Sequence, residues 1–329
     1  MTSAIDMHSH YYGGLLPGLL RRSSRPNVSS DAQGRNVLHA MTASTVMSAG
    51  YTDIAARLEY MDAHRIARQL LTFPGALGFD AMPGVEIAAA IRAYNEHLGD
   101  VCRSSNGRFL GLVGLPLADA AAAAVELSRA RRELGLAGAI LPGNYFLTID
   151  AARALTPVFE AAGRAGALLM IHPGLMPGEA PPPPYADTSV FRASVLNLQA
   201  SLAHMAMTVI AGGLAEAFPA VTFQVVNLGG TLPFVFERLE AVAASREPHV
   251  PFRREALRSM VYDCASLGPR ALELAVRVFG ADRIMLGTDY PIFAPDQVRD
   301  TVEAADLSDN GKEQVLRGTA QRVLERLGA

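Results

Sequence analysis

The sequence predicts an α/β protein of the (β/α)8 barrel class. Short aliphatic or β-branched runs alternate along the chain with longer segments that are rich in Ala, Leu, Arg and Glu and have helical periodicity. Eight short runs are present, and parallel strands separated by helices are typical of this barrel. Because such barrels often use this much chain, residues 1–329 are expected to form one domain.

The predicted strands are short and the predicted helices are longer. Strands are predicted at residues 4–8, 67–72, 109–113, 138–141, 167–172, 221–226, 260–262 and 284–286. Helices are predicted at residues 52–64, 85–105, 118–134, 151–165, 191–217, 233–244 and 269–279. Two connections stand out, a long loop after the first strand at about residues 13–50 and a Pro-rich loop at about residues 175–190.

Composition excludes several classes of protein. The chain has 329 residues, is 50% hydrophobic and carries a formal net charge of −3, which fits a soluble globular protein and offers no basic excess for nucleic acid. Cys102 and Cys264 are too few for a disulfide framework, and no secretory signal or membrane-spanning apolar run is found. The sequence therefore predicts a cytoplasmic protein that acts on a small molecule, without nucleic-acid or membrane partners.

Histidines and an aspartate stand where predicted strands end. His8 and His10 lie two residues apart in "IDMHSH", so an extended chain points both imidazoles to one side. His172 ends the fifth strand and Asp289 follows the last one. Because strand ends meet at one face of a barrel, we expect the four side chains to gather there. The alternative is that these are hydrogen-bonded core residues.

Gathered in this way, the four side chains are suited to a metal. Neutral imidazole and carboxylate are ligands for zinc, iron or manganese, and an incomplete ligand shell leaves room for water or substrate. The sequence therefore predicts one divalent transition metal, with zinc as the default and iron or manganese as alternatives.

Five motifs resemble the amidohydrolase superfamily. They are "IDMHSHYY", "LLMIHPG", "NLGGTLPF", "VYDCAS" and "IMLGTDYP". They are most similar to the branch related to aminocarboxymuconate-semialdehyde decarboxylase and the salicylate-type decarboxylases, from Ile5 to about the final helix. The resemblance implies a barrel with one catalytic metal held by His8, His10, His172 and Asp289.

The resemblance also implies self-association. Members of this branch commonly dimerise, and the segment "LGGTLPFVFERLE" would offer Phe234, Phe236 and Arg238 to the partner. A homodimer is therefore expected.

The chain departs from the family pattern at two positions. The branch usually has histidine where this chain has Asn227, whose amide can donate a hydrogen bond to a developing oxyanion or simply cap a turn. Binuclear members use a carboxylated lysine on the fourth strand, whereas the only lysine here is Lys312, near the C-terminus. A mononuclear centre is expected.

Three functions remain open at this stage. The preferred one is a hydrolase of an ester, thioester, lactone or amide of a hydrophobic acyl or aryl compound, in which Asp289 takes a proton from metal-bound water and Asn227 stabilises the oxyanion. The alternative is a non-oxidative decarboxylase of an aromatic or unsaturated carboxylate, in which Asp289 protonates the carbon that loses CO2. The third is a degenerate barrel that binds a ligand without turning it over.

Further residues are weaker candidates. His204 lies on an apolar helix and is interpreted either as a core histidine or as a catalytic proton carrier. His249 lies in a Pro-flanked loop and is not assigned a role. Four arginines in the first loop are interpreted as surface residues or as contacts for a substrate anion: Arg21, Arg22, Arg25 and Arg35. An apolar pocket wall is predicted around the Pro-rich loop, from Leu175, Met176, Tyr185 and Phe191.

Overall fold

The structure is a computed structural model that describes residues 3–41, 43–181, 191–245, 254–265, 267–293 and 296–328. Its strands, in chain order, are β1 (Ala4–His10), β2 (Asn27–Ser30), β3 (Asn36–His39), β4 (Ser44–Val46), β5 (Ile66–Thr72), β6 (Phe109–Val113), β7 (Gly138–Pro142), β8 (Leu168–His172), β9 (Thr222–Val225), β10 (Val261–Asp263) and β11 (Ile284–Met285).

Eight of these strands form a parallel, nearly closed barrel. Their order is β1, β5, β6, β7, β8, β9, β10 and β11, and every neighbouring pair is parallel. The ring closes through backbone hydrogen bonds from Met7 to Leu286 at 2.8 Å and from His10 to Tyr290 at 2.7 Å. The predicted (β/α)8 barrel is confirmed, and each predicted strand matches one strand of the barrel.

Helices pack around the barrel. They are α1 (Leu16–Leu20), α2 (Ile54–Ala63), α3 (Val85–Ser104), α4 (Ala120–Glu133), α5 (Ile149–Arg153), α6 (Thr156–Ala165), α7 (Leu198–Ala211), α8 (Leu214–Ala217), α9 (Leu232–Ser245), α10 (Pro269–Phe279), α11 (Asp296–Ala304), α12 (Asp309–Glu313) and α13 (Thr319–Leu327). Among the described residues, no helix is both long enough and apolar enough to span a bilayer.

Local sequence explains where the helices begin and end. Asp53 and Asp119 precede α2 and α4, and each carboxylate accepts hydrogen bonds from two backbone N–H groups of the first turn. Helix α6 ends at Gly166, whose φ of +59° lies in the left-handed region that glycine adopts without steric cost. The helix predicted at residues 191–217 is interrupted because Gly213 also has a left-handed φ, of +64°, between α7 and α8.

The long connection after β1 contains its own secondary structure. Strands β2, β3 and β4 form an antiparallel sheet, where only an irregular loop was predicted. Val28 and Leu38 are 4% and 2% exposed and belong to the main hydrophobic core. The guanidinium of Arg25 donates to the backbone oxygen of Ala40 at 2.7 Å and to the hydroxyl of Ser44 at 3.0 Å. The side chain of Arg25, just before β2, therefore ties the start of this segment to the residues between β3 and β4 and to β4 itself.

Candidate metal centre

Four predicted side chains meet at the C-terminal end of the barrel strands. His8 and His10 are in β1, His172 ends β8, and Asp289 follows β11. All four are buried, and one ligand atom from each lies within 4.8 Å of the others. Burial of four titratable groups in one cluster is costly unless they share a partner. Their roles as ligands remain part of the proposal made below.

The imidazole rings are oriented by hydrogen bonds on their outer nitrogens. Nδ1 of His10 lies 2.8 Å from the hydroxyl of Thr72, and Nδ1 of His172 lies 3.0 Å from the backbone oxygen of Pro173. Nδ1 of His8 also has a hydrogen-bond partner, a carboxylate discussed below. The three rings are nearly perpendicular to one another, with centroids 4.7 to 5.2 Å apart. This leaves Nε2 of each ring to bind a ligand.

Unpaired atoms at the centre of the cluster fit a metal ion. Nε2 of His8 and Oδ1 of Asp289 are buried and make no hydrogen bond. Oδ1 of Asp289 lies 3.1 Å from Nε2 of His10 and 3.6 Å from Nε2 of His8. Buried polar atoms in a folded protein nearly always have a partner, and three imidazoles with one carboxylate suit a divalent transition metal. The residues present therefore fit one divalent metal ion.

Burial and neighbouring charges shift the pKa values in opposite directions. Burial lowers the pKa of His10, and it lowers that of His172 strongly, which favours the neutral form of both rings. Burial would also lower the pKa of His8, but nearby carboxylates outweigh it and raise that pKa to about 9. Burial would raise the pKa of Asp289, but attraction to His8 and His10 outweighs it and lowers that pKa.

Two loop residues at the centre have left-handed backbone conformations. Asp289 has a φ of +56° and Asn227 has a φ of +53°. Such conformations are uncommon outside glycine and cluster at functional sites. Gly230, at the end of the same loop as Asn227, has a φ of +63°, and a Cβ there would overlap the backbone oxygen of Gln199. The "NLGG" sequence thus allows the loop to approach α7 closely.

A cavity of about 370 Å³ opens on three of the four clustered side chains, His10, His172 and Asp289. Its walls are largely apolar and include Pro74, Pro173, Leu198, Ile292 and Phe293. Three further polar side chains line it: Tyr12, Gln199 and Asn227. Among the residues that the structure describes, no lysine or arginine lines the cavity.

The structure places Asn227 at the cavity wall. The side chain is buried, and its Oδ1 has no hydrogen-bond partner. A residue that only capped a turn would use this oxygen for a backbone N–H group. The amide is therefore available to a bound molecule.

His204 does not join the site. It lies on α7, but its side chain is exposed and is absent from the cavity lining. Both sequence interpretations, as a core histidine and as a proton carrier, are wrong, because α7 turns this residue to solvent. His249 and Tyr185 lie outside the described residues.

The arginines of the first loop do not reach the cavity either. Arg25 holds the antiparallel sheet, as described above, and Arg35 pairs with Asp31 at 2.7 Å. Arg22 donates to the backbone oxygen of Pro26 at 2.7 Å. None of the four, Arg21 included, lines the cavity.

The predicted apolar wall is also placed differently. Leu175, Met176 and Phe191 do not line the cavity, and the side chain of Phe191 is 71% exposed. The apolar residues of the wall come instead from the loop after β5, from Pro173 directly after β8, from the turn before and the start of α7, from Leu267 after β10 and from the segment after Asp289. These loops are distant in sequence, so no local pattern could identify them together.

One buried residue of the centre had no role assigned from the sequence. Asp263 ends β10 in the "VYDCAS" motif, and its Oδ1 lies 3.1 Å from Nδ1 of His8. The available signal was an aspartate at a predicted strand end, the same signal that identified Asp289. Cys264, the next residue, is buried, and burial raises its thiol pKa to about 12, so it packs as an apolar group.

The barrel and this cluster define a protein with a buried site for one divalent metal ion. Residues 5–326 match the family model described as Amidohydrolase, and the chain belongs to that family. Within the family it falls in the aminocarboxymuconate-semialdehyde decarboxylase branch that the motifs resemble.

The chain is similar to several decarboxylases. It is 28% identical over 287 residues to 2-amino-3-carboxymuconate-6-semialdehyde decarboxylase of Dictyostelium discoideum, covering 83% of this chain and 76% of the relative. It is 26% identical over 298 residues to gamma-resorcylate decarboxylase of Rhizobium sp. (strain MTP-10005), covering 83% and 87%. A crystal structure of dihydroxybenzoic acid decarboxylase from Polaromonas sp. JS666, with bound manganese and the inhibitor 2-nitroresorcinol, shares the fold at a TM-score of 0.74 and 21% identity, covering 99% and 97%.

These relatives overturn the preferred function. The prediction of a hydrolase is wrong, because the curated relatives that match the chain are decarboxylases, which break a carbon–carbon bond. That prediction gave too much weight to one substitution, Asn227 in place of the usual histidine. The rest of the centre keeps the residues that the family resemblance implied.

Proposed function

We propose that the chain is a metal-dependent decarboxylase that releases CO2 from a small aromatic carboxylate without an oxidant. The observation that carries this proposal is the cluster of four potential ligands, two of them with unpaired buried atoms, at the base of a cavity with apolar walls. The relatives support it, because they include decarboxylases of resorcylate and methylsalicylate.

Four atoms would hold the metal. They are Nε2 of His8, His10 and His172 and Oδ1 of Asp289. A bound divalent ion would supply positive charge that holds the anionic substrate and withdraws electron density from it. The donor set accepts zinc, iron or manganese, and manganese is the metal in the Polaromonas relative.

The chain's own residues would hold the substrate ring. Leu198, Ile292 and Phe293 offer apolar surface to an aryl group and keep water away from it. Oδ1 of Asn227, which has no partner in the protein, would accept a hydrogen bond from a hydroxyl group of the substrate. An aromatic carboxylate satisfies both the apolar walls and the unpaired polar atoms.

Asp289 is the proton carrier of the proposed reaction. The carboxyl group leaves as CO2, the electron pair of the broken carbon–carbon bond stays on the ring carbon, and a proton must bond to that carbon. Asp289, a carboxylate in the resting site, would first take up a proton, pass it to this carbon and be left as a carboxylate again. It is reloaded by a proton from water, so each cycle consumes one proton and releases one CO2.

A substrate panel tests the proposal. The purified protein, loaded separately with zinc and manganese, is incubated with hydroxybenzoates and with aryl and acyl esters, and CO2 release is scored directly. We expect CO2 from at least one aromatic carboxylate and no ester cleavage. Ester or thioester cleavage without CO2 from any carboxylate would overturn the proposal, and binding without turnover would favour the degenerate barrel.

Self-association remains a prediction. Phe234 is 81% exposed on α9 and is available to a partner, whereas Phe236 is 2% exposed and packs in its own chain. The predicted dimer contact can therefore include Phe234 but not Phe236. Light scattering at micromolar concentration measures the mass, and a monomer would contradict the predicted homodimer. The cytoplasmic location also remains a prediction.

A further inference from the structure

Asp263 is a buried carboxylate that connects three strands of the barrel at the centre. Its Oδ1 accepts from Nδ1 of His8 at 3.1 Å and from the backbone N–H groups of Asn227 at 3.2 Å and Ala265 at 3.1 Å. Its Oδ2 accepts from Nε2 of Gln224 at 2.8 Å. With 0% exposure, all of its partners come from the protein.

We propose that Asp263 is a positioning residue that fixes the tautomer and orientation of His8 for metal binding. A carboxylate only accepts hydrogen bonds, so Nδ1 of His8 must carry a proton. When the ring binds a metal as neutral imidazole, its lone pair is therefore on Nε2, the nitrogen that lies unpaired at the centre. The proposal depends on the metal site and not on the decarboxylation.

Gln224 fixes the orientation of the Asp263 carboxylate. Its Nε2 donates to Oδ2 of Asp263 and to the backbone oxygen of Met7 at 3.1 Å. Turning the amide over would direct its oxygen at two acceptors, which is unfavourable. Gln224 therefore holds the Asp263 carboxylate in the orientation that faces His8.

The same carboxylate holds the loop that carries Asn227. The backbone N–H of Asn227 donates to Oδ1 of Asp263, and Asn227 has a left-handed φ of +53°. A strained conformation persists only where neighbouring contacts hold it. Asp263 thus positions both a proposed metal ligand and the amide at the cavity wall.

An exchange of polar groups tests the proposal with zinc as the probe. In Asp263→Asn, neither orientation of the new amide suits all partners, because its NH2 group faces either the donor of Gln224 or the donors of His8 and Asn227. We expect the zinc Kd to rise roughly 10- to 100-fold, the usual effect of losing a residue that orients a metal ligand. Asp282→Asn is the matched control, since Asp282 is a surface residue paired with Arg258. The zinc Kd of this variant should equal that of the wild-type protein.

A second substitution should restore binding. Gln224→Glu alone places two carboxylates together and should also weaken zinc binding. In the Asp263→Asn/Gln224→Glu double variant, the new amide can donate to the glutamate and accept from His8, so part of the lost affinity should return, and the remaining loss reflects the missing donor to the backbone oxygen of Met7. Such non-additivity is the signature of two groups that act through direct contact. A double variant that binds zinc no more tightly than Asp263→Asn would overturn the proposal.

A spectroscopic measurement keeps the test valid if a variant does not fold. In the zinc-loaded wild-type protein, the Nδ1–H proton of His8 should exchange slowly and give a strongly downfield NMR signal. The reason is that this proton is buried and hydrogen-bonded to the carboxylate of Asp263. Absence of this signal, or no change of its position in a folded Asp263→Asn variant, would contradict the assignment. These measurements use no substrate, so their failure is separate from a failure of the proposed decarboxylation.

Discussion

Asp6 and Asp289 are both buried at the same end of the barrel, yet their surroundings differ. Oδ1 of Asp6 accepts from the backbone N–H groups of His8 and Thr288, and Oδ2 accepts from the side chains of Gln69 and Thr288. Oδ1 of Asp289 makes no hydrogen bond and faces imidazole rings. Both aspartates are buried, but the hydrogen bonds of Asp6 are satisfied by the protein, whereas Asp289 has an unpaired oxygen that could bind a metal.

The pKa values of the two aspartates shift in opposite directions because only Asp289 faces the imidazole rings. Burial raises the pKa of Asp6, and the hydrogen bonds from Thr288 and Gln69 do not fully compensate. Burial acts in the same direction on Asp289, but the imidazoles of His8 and His10 outweigh it and lower the pKa. The comparison shows that burial decides the pKa of the hydrogen-bonded Asp6, whereas the neighbouring imidazoles decide that of Asp289.

The two clusters also support one another. Arg57 donates to Oε1 of Gln69 at 2.9 Å and to the backbone oxygen of His10. Its guanidinium lies over the rings of Tyr11 and Tyr290, at 5.6 and 5.0 Å from their centroids. The satisfied network around Asp6 thus holds the backbone from which the candidate ligands project.

The largest effect is expected from removing a candidate ligand. The wild-type protein should hold about one divalent metal per chain, and His8→Ala or His172→Ala should reduce the content to nearly zero and abolish turnover. Metal analysis of the purified proteins measures this. His39→Ala is the control, because His39 lies in the antiparallel sheet and pairs with Ser29 and Ser44. Two metals per chain, or unchanged content in both ligand variants, would contradict the metal centre.

A third buried aspartate extends the comparison. Asp80 is 0% exposed, neither of its oxygens has a hydrogen bond, and burial raises its pKa to about 8. Between pH 4 and pH 8, the Asp80 carboxyl group is therefore protonated in the folded state but ionised in the unfolded state, where its pKa is 3.8. The free energy of unfolding falls as pH rises through this range, because folding then requires the uptake of a proton.

Asp80→Asn should remove this penalty. We expect the variant to be more stable than wild type by a few kcal/mol at pH 8, with the difference shrinking as pH falls towards 4. Urea denaturation at several pH values measures it, with the exposed Asp300→Asn as a control. A difference that does not depend on pH would show that Asp80 is already paired.

The unpaired amide at the cavity wall should affect rate rather than metal content. Asn227→Ala should lower kcat by roughly ten- to a thousandfold with metal retained, the scale seen when one preorganised hydrogen-bonding group of an active site is lost. Asn227→His should be neutral or beneficial for CO2 release, because histidine is the usual family residue and tolerates a left-handed φ. Loss of metal in Asn227→Ala would instead place Asn227 among the ligands.

The satisfied network should affect stability rather than metal content. Gln69→Leu removes a donor to Asp6 and an acceptor from Arg57, so we expect the free energy of unfolding to fall by about 1–3 kcal/mol. Metal content per chain should stay at the wild-type value. The exposed Gln33→Leu should change the free energy by less than about 0.5 kcal/mol. Loss of metal without loss of stability in Gln69→Leu would reverse the assignment of the two clusters.

Sequence reasoning succeeded where structure is local or follows from strand geometry. The alternation of strands and helices, and the placement of His8, His172 and Asp289 at strand ends, follow from periodicity and from the common direction of parallel strands. It failed for His204, because an apolar helix also has an exposed side, and the identity of that side depends on how the helix packs. It missed β2, β3 and β4, because their pairing depends on contacts such as those of Arg25.

The sequence by itself determined the barrel, the family and the four residues that meet at its end, because these depend on local periodicity and on residues at strand ends. Only the tertiary structure decided which buried polar groups are satisfied. Asp6, Asp80, Asp263 and Asp289 are the same residue type, and each is 8% exposed or less. Their hydrogen-bond partners come from distant parts of the chain, so their different environments exist only after the strands have come together.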